Sequence, residues 1–225
     1  MRENRIEDRG ILAGLPVDLK DGLFNAGKII EIKKGHILFS EREEIESLFI
    51  VVDGFMALYR NSRYGEIKVI FICTNGELLN EVVLQNEKTS ICSKALTDTK
   101  LLAIHKSEIY KLLKENPDLQ MLLFNSLAKK TRRLYHQVGN ANGTYPLEKR
   151  LAAKIWKLAR DYGYETDEGK RISFETTVTF LANMLGSKRE SVSRQISQMK
   201  ANNILIHENG YLIIKNMDKL KEIAL

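Results

Sequence analysis

The fold class predicted for this chain is α+β: an N-terminal antiparallel β-roll or jelly roll, a long central helix and a C-terminal winged helix. Three stretches predict it. Between Gly27 and His105, the runs IIEIKKGHILF, SLFIVVDGFMALYR, EIKVIFICT and KTSICSKALTDTKLLAIH are rich in β-branched residues. Glycines at 35, 54, 65 and 76 punctuate them, and short strands joined by tight turns at such spacing close into a roll. From Asn116-Pro117 to Val138, apolar residues recur at helical spacing behind a proline suited to a first helical position. From Thr177 to Ile206, the run TVTFLANMLGSKRESVSRQISQMKANNILI reads as two short helices broken at Gly186.

The 225 residues are enough for two domains with cores of their own. The formal net charge is +6, and the part from residue 147 onward holds 14 Lys and Arg against 10 Asp and Glu. Most of the positive excess therefore lies in the C-terminal third, which suits an acidic partner. Cys73 and Cys92 each lie in an apolar, strand-like run and are expected to be buried thiols. Without a CxxC pair, neither a cysteine-held zinc site nor an iron–sulfur cluster is expected. MRENRIEDRG lacks the apolar core of a signal peptide, and no apolar run approaches the ~20 residues that span a bilayer. The expected location is cytoplasmic, with no membrane partner.

In order, residues 6–27 read as short helical pieces with a break at Leu15-Pro16. The strand region follows, and within it residues 75–84 lack alternation and suggest a helical turn. Residues 107–115 are helical. The next helix runs to about Val138, with Leu123, Leu127, Leu134 and Val138 close to one heptad stripe that Lys130 interrupts. Such a stripe suits a homodimer. GNANGTYP, residues 139–146, is a hinge. The helix LEKRLAAKIWKLARDYG buries Leu151, Ile155, Leu158 and Ala159. A charged turn, a short strand at 171–174, the two-helix unit and a hairpin across Asn209-Gly210 complete the chain. The expected divisions are a sensor roll at 1–116, a dimerisation helix at 117–138, the hinge at 139–146 and a winged helix-turn-helix at 147–225.

In the two-helix unit, Phe180, Leu181, Met184 and Leu185 form one apolar face, and Val192, Ile196 and Met199 form the inner face of the second helix. That leaves an Arg-Glu-x-x-x-Arg face outward. Arginine bonds G O6 and N7, and glutamate accepts from C N4, so this face can read G·C edges in a major groove. Arg189, Glu190, Ser193 and Arg194 are the candidate base readers. Thr177, Thr179, Ser187, Lys188 and Ser191 are candidate phosphate contacts.

The order of roll, long helix, hinge and winged helix resembles the CRP/FNR family of bacterial transcription regulators, over about 28–223. LANMLGSKRESVSRQISQMKANNILI is similar to the family's DNA-binding motif, and LEKRLA to its helix after the hinge. The resemblance implies that Arg189, Glu190 and Arg194 read bases as in the cyclic-AMP receptor branch, while Ser193 beside Arg194 is similar to the FNR branch. It also implies RNA polymerase as a partner, an activating role and a cyclic-nucleotide-binding-like sensor. In that sensor, Glu81 matches the ribose-binding glutamate. Asn80 stands where glycine is usual, and Lys88-Thr89-Ser90 has no arginine at the phosphate position, where lysine is no substitute for a guanidinium fork. The N-terminal cysteines of oxygen-sensing members are absent. An effector other than cyclic AMP is therefore expected, in a pocket of Asn80, Glu81, Thr89 and Ser90 with Tyr135 from the long helix.

The leading expectation is a homodimeric regulator that reads a pseudo-palindromic site in double-stranded DNA, its roll answering to a small effector of unknown identity. A constitutive, effector-independent member of the same family is the alternative, and its sign is a pocket filled by its own side chains. No Ser-His-Asp set, paired carboxylates or P-loop is recognisable, and His36, His105, His136 and His207 lack metal-ligand spacing. A metal-dependent jelly-roll enzyme is the remote alternative.

Overall fold

A computed structural model describes residues 15–62, 65–141 and 145–225, with the backbone alone at 139–141. The chain divides into two compact units, Met1–Arg60 with Ile70–Gln137 and Asn61–Val69 with Val138–Leu225. Expectations for residues 6–14 and for the middle of the hinge, 142–144, lie outside the described residues.

The first unit opens with α1 (Val17–Ala26), entered from Pro16 as the sequence break requires. Seven strands follow: β1 (Gly27–Ile32), β2 (Ile37–Phe39), β3 (Ser47–Asp53), β4 (Met56–Asn61), β5 (Ile67–Cys73), β6 (Cys92–Ala95) and β7 (Thr99–His105). They form two antiparallel sheets, ordered β1-β7-β3 and β2-β6-β4-β5. Alternation along β3 and β7 divides the core in two. Phe49, Val51 and Leu101 point into the roll with Phe39, Met56, Leu58, Phe71, Cys73 and Leu79. Leu48, Ile50, Leu102 and Ile104 point the other way, onto Leu19 and Leu23 of α1 and onto two further helices. A sheet buried on both faces has apolar residues at successive positions, which is why these strands alternate only partly.

Those helices are α2 (Lys106–Glu115) and α3 (Pro117–Ala141). Pro117 opens α3 as expected, but the helix continues through 139–141, beyond the end read at Val138. Residues 75–84 hold the anticipated helical turn as a 3-10 segment at Glu81–Gln85.

The second unit contains α4 (Leu147–Tyr162), the hairpin β8 (Gly163–Thr166) and β9 (Gly169–Ile172), α5 (Val178–Leu185), α6 (Arg189–Ala201), the hairpin β10 (Leu205–Glu208) and β11 (Tyr211–Ile214), and α7 (Met217–Ala224). Its sheet is ordered β10-β11-β9-β8. Strand β8 and helix α7 are additions to the sequence reading. Leu151, Ile155 and Leu158 of α4 are buried, as are Phe174, Leu181, Val192, Ile196, Met199, Leu212 and Leu220. Both thiols are buried, and exclusion of water pushes that of Cys73 up to about 12. Among the described residues no helix is long and apolar enough to cross a membrane.

Gly54 links β3 to β4 at φ 100°, where a Cβ would lie 2.6 Å from Thr99 Oγ1 and 2.8 Å from the Asp98 carbonyl oxygen. Gly35 also has positive φ but open space around it. Gly54→Ala should therefore lower stability by at least about 2 kcal/mol and Gly35→Ala by only about 1 kcal/mol. Equilibrium urea unfolding of the two variants measures the difference.

Candidate nucleic-acid interface and effector site

The winged helix sets α6 by its inner face. Val192, Ile196 and Met199, spaced four and three apart, are buried, so the opposite side of the helix faces water. Gly186 holds φ 60° and ψ 47° between the two helices, a conformation that suits glycine, and the Ser187 N–H donates back to the Ala182 oxygen at 3.1 Å. A guanidinium N–H of Arg150 on α4 donates to the Leu185 oxygen, tying the last turn of α5 to the preceding helix.

Arg189, Glu190 and Arg194 are exposed and Ser193 is half-buried beside them. No ion pair engages these three charged residues among the described residues. Lys188 and Thr179 are exposed, and Ser187 and Ser191 are half-buried at the near end of α6. Thr177 caps α5: its Oγ1 accepts from the Phe180 N–H at 3.1 Å and keeps its own proton to donate. The structure thus places the base-reading candidates and the nearest phosphate candidates around one end of α6. On the wing, the half-buried His207 has an Nε2 without a partner among the described residues, and burial holds its pKa below the ordinary 6.5.

The roll brings together a different set from the one the sequence suggested. Glu81, 6% exposed, directs its carboxylate at α3. Ser126 Oγ donates to Oε1 at 2.8 Å, and Lys130 Nζ donates to Oε2 at 2.5 Å and to the Leu78 oxygen at 2.8 Å. Both carboxylate oxygens thus have partners from the chain itself. Asn80 is buried and structural: its Oδ1 accepts from the Phe49 N–H at 3.0 Å and its Nδ2 donates to the Ser47 oxygen at 2.9 Å. Thr89 donates to the Ser40 oxygen at 2.5 Å and accepts from the Glu43 N–H at 3.2 Å. Ser90 is exposed. Tyr135, 74% exposed, is not brought to Glu81.

Helix α3 explains that separation, because it carries two ridges. Leu119, Leu123, Ser126, Lys130, Arg133 and Gln137 are its buried or half-buried residues facing the roll, spaced alternately four and three apart, with Leu122 beside them. Met121, Phe124, Leu127, Leu134, Tyr135 and Val138 are exposed apolar residues on the far side. An offset of two residues is a turn of about 200°. Of the four residues expected at the dimer stripe, Leu127, Leu134 and Val138 lie on the exposed ridge. Leu123 packs in the core with Leu48 and Ile50 instead. Lys130, an interruption of the stripe in sequence, belongs to the inner ridge. The signal that would have found that ridge is the 4-3 spacing of 119, 123, 126, 130, 133 and 137, polar residues included.

A roll built on two antiparallel sheets, a long helix against it and a winged helix with an exposed Arg-Glu-x-x-x-Arg face define a DNA-binding transcription regulator. Residues 149–223 match the family model of the Crp-like helix-turn-helix domain, and residues 29–116 match that of the cyclic nucleotide-binding domain. The chain belongs to the CRP/FNR family of transcription regulators. It is 23% identical over 194 residues to the anaerobic regulatory protein of Bacillus subtilis, covering 85% of this chain and 81% of the relative. It is 19% identical over 213 residues to a CRP-like cAMP-activated global transcriptional regulator of Mycobacterium tuberculosis, covering 94% of each. In fold it is similar to a mutant of CooA from Carboxydothermus hydrogenoformans, with a TM-score of 0.71, 22% identity, and 91% of this chain and 90% of that chain covered. These relatives are regulators, not enzymes.

The geometry of α6 predicts two kinds of loss. Arg189→Ala should cost about 1–3 kcal/mol of operator affinity and relax base preference at one position. Lys188→Ala should weaken all sequences alike and reduce the salt slope by about one. Band-shift titrations at several salt concentrations separate the two.

Proposed function

We propose that the chain acts in the cytoplasm as a homodimer that reads a pseudo-palindromic operator, with Arg189, Glu190, Ser193 and Arg194 contacting bases. The observation that carries the dimer is the exposed apolar ridge of α3, from Met121 to Val138, opposite the ridge that packs on the roll. Apolar side chains in line at heptad spacing suit a parallel two-stranded pairing. A two-fold dimer then presents two α6 helices, whose half-sites lie about 34 Å apart on the duplex. RNA polymerase enters as a partner, and activation as the sign of regulation, on the family likeness alone.

The effector that the roll answers to, on this reading, is a molecule other than cyclic AMP. Glu81 is already engaged by Ser126 and Lys130, and no arginine occupies the stretch from Lys88 to Ser90. The same engagement favours a second reading, a regulator that needs no effector. Residues of the chain make the link between the 3-10 turn and α3 that a ligand would otherwise make.

Leu127 is 47% exposed, so Leu127→Glu should leave the fold intact and give monomers by light scattering. A dimer that persists at working concentration counts against the interface. Calorimetric titration with cyclic AMP should show no micromolar binding. Operator binding near 10 nM with no small molecule added selects the effector-independent reading, and a requirement for cell extract selects the other.

A further inference from the structure

Strand β5 lies at the edge of its four-stranded sheet. An edge strand presents unpaired carbonyls and needs covering. Here α3 covers it with side chains. Gln137 Nε2 donates to the Ile70 oxygen at 2.7 Å, and Arg133 Nη2 reaches the Ile72 oxygen at 3.5 Å. Arg133 is fixed twice more: Nη1 meets Glu77 Oε1 at 3.3 Å, and its guanidinium carbon lies 4.8 Å from the centre of the Phe71 ring. Glu77 is itself held, accepting from the Thr74 N–H at 2.9 Å through Oε2.

The two bonds match in spacing. Residues four apart on a helix are separated by about 6 Å along its axis. Carbonyls two apart on a strand point the same way and are separated by about 6.6 Å. Helix and strand run in opposite senses, 133 and 137 meeting 72 and 70. The bonds to Ile70 and Ile72 therefore hold together in one axial position of α3, and a slide of a single residue would break both. They also lie near the hinge-proximal end of the helix, which runs to Ala141. Ser126 and Lys130 hold the helix farther back, at Glu81.

We propose that Arg133 and Gln137 are positioning residues for DNA binding: by pinning the hinge-proximal turns of α3 to the edge of β5, they set the half-site spacing the dimer accepts. The inference rests on the dimeric reading given above. Neither residue touches DNA in this scheme, so their effect falls on spacing selectivity rather than on base preference.

The test uses full-length protein and operators whose half-site separation is lengthened or shortened by one base pair. Wild type should prefer one spacing by about tenfold or more. Gln137→Glu keeps the shape but turns the donor facing the Ile70 oxygen into an acceptor. Arg133→Lys keeps the charge but loses the guanidinium fork that reaches both Glu77 and the Ile72 oxygen. Each should flatten the spacing preference severalfold, leave the preferred base at each position unchanged and speed amide hydrogen exchange in 133–141. Wild-type selectivity retained in both variants overturns the proposal, as does unchanged exchange in that segment. No spacing preference in wild type, or a monomer by light scattering, overturns the dimeric reading and this proposal with it. Arg189→Ala is the contrasting control, expected to change base preference and leave spacing selectivity alone.

Discussion

A carboxylate with little access to water must be paired, and in the N-terminal unit that carboxylate belongs to Glu81. Its partners, Ser126 and Lys130, come from a helix that begins some 36 residues later in sequence, at Pro117. Removing one member of such a buried pair costs about 3–5 kcal/mol, because the other is left uncompensated. The 3-10 turn at Glu81–Gln85 and the middle of α3 are therefore held to each other. The inner ridge of the helix changes character around this point. Leu119 and Leu123 are apolar and join the core; Ser126, Lys130, Arg133 and Gln137 are polar and directional. The first part supplies burial and the second supplies position, because a hydrogen bond distinguishes one register from the next and an apolar contact hardly does.

What the chain showed in advance follows from how locally each feature is encoded. The two-helix unit was legible because Val192, Ile196 and Met199 must be inward and Gly186 must turn, whatever else surrounds them. The strands of the roll were legible because their glycines mark turns; Gly35, Gly54, Gly65 and Gly76 all have positive φ. The inner ridge of α3 was not, because Ser, Lys, Arg and Gln at helical spacing look the same on a solvated face as on one that meets a distant carbonyl. Leu123 and Leu127, four apart, fall on one stripe in sequence, though one is buried and the other exposed. Only the roll decides between them. The same limit applies to Asn80 and Thr89, whose roles depend on Ser47, Phe49 and Ser40, more than thirty residues earlier. Helix α7 was legible, though absent from the sequence reading, since Met217, Leu220 and Ile223 fall at helical spacing behind the Asn216 cap; β8, four residues with neither end fully buried, carries no such pattern.

The consequence of Asn80 and Thr89 reaches beyond the present function. Each stands at a position where the family likeness assigns a nucleotide-sensing part, and each has taken a structural task there. Glycine at 80 would free Phe49 N–H and the Ser47 carbonyl together, and arginine at 89 would leave the Ser40 carbonyl and the Glu43 N–H without their hydroxyl. Neither change is neutral on its own in this background, so the order of substitutions matters. A nucleotide clamp therefore cannot be built into this chain one residue at a time without cost, because the backbone groups that Asn80 and Thr89 now hold would each need a new partner.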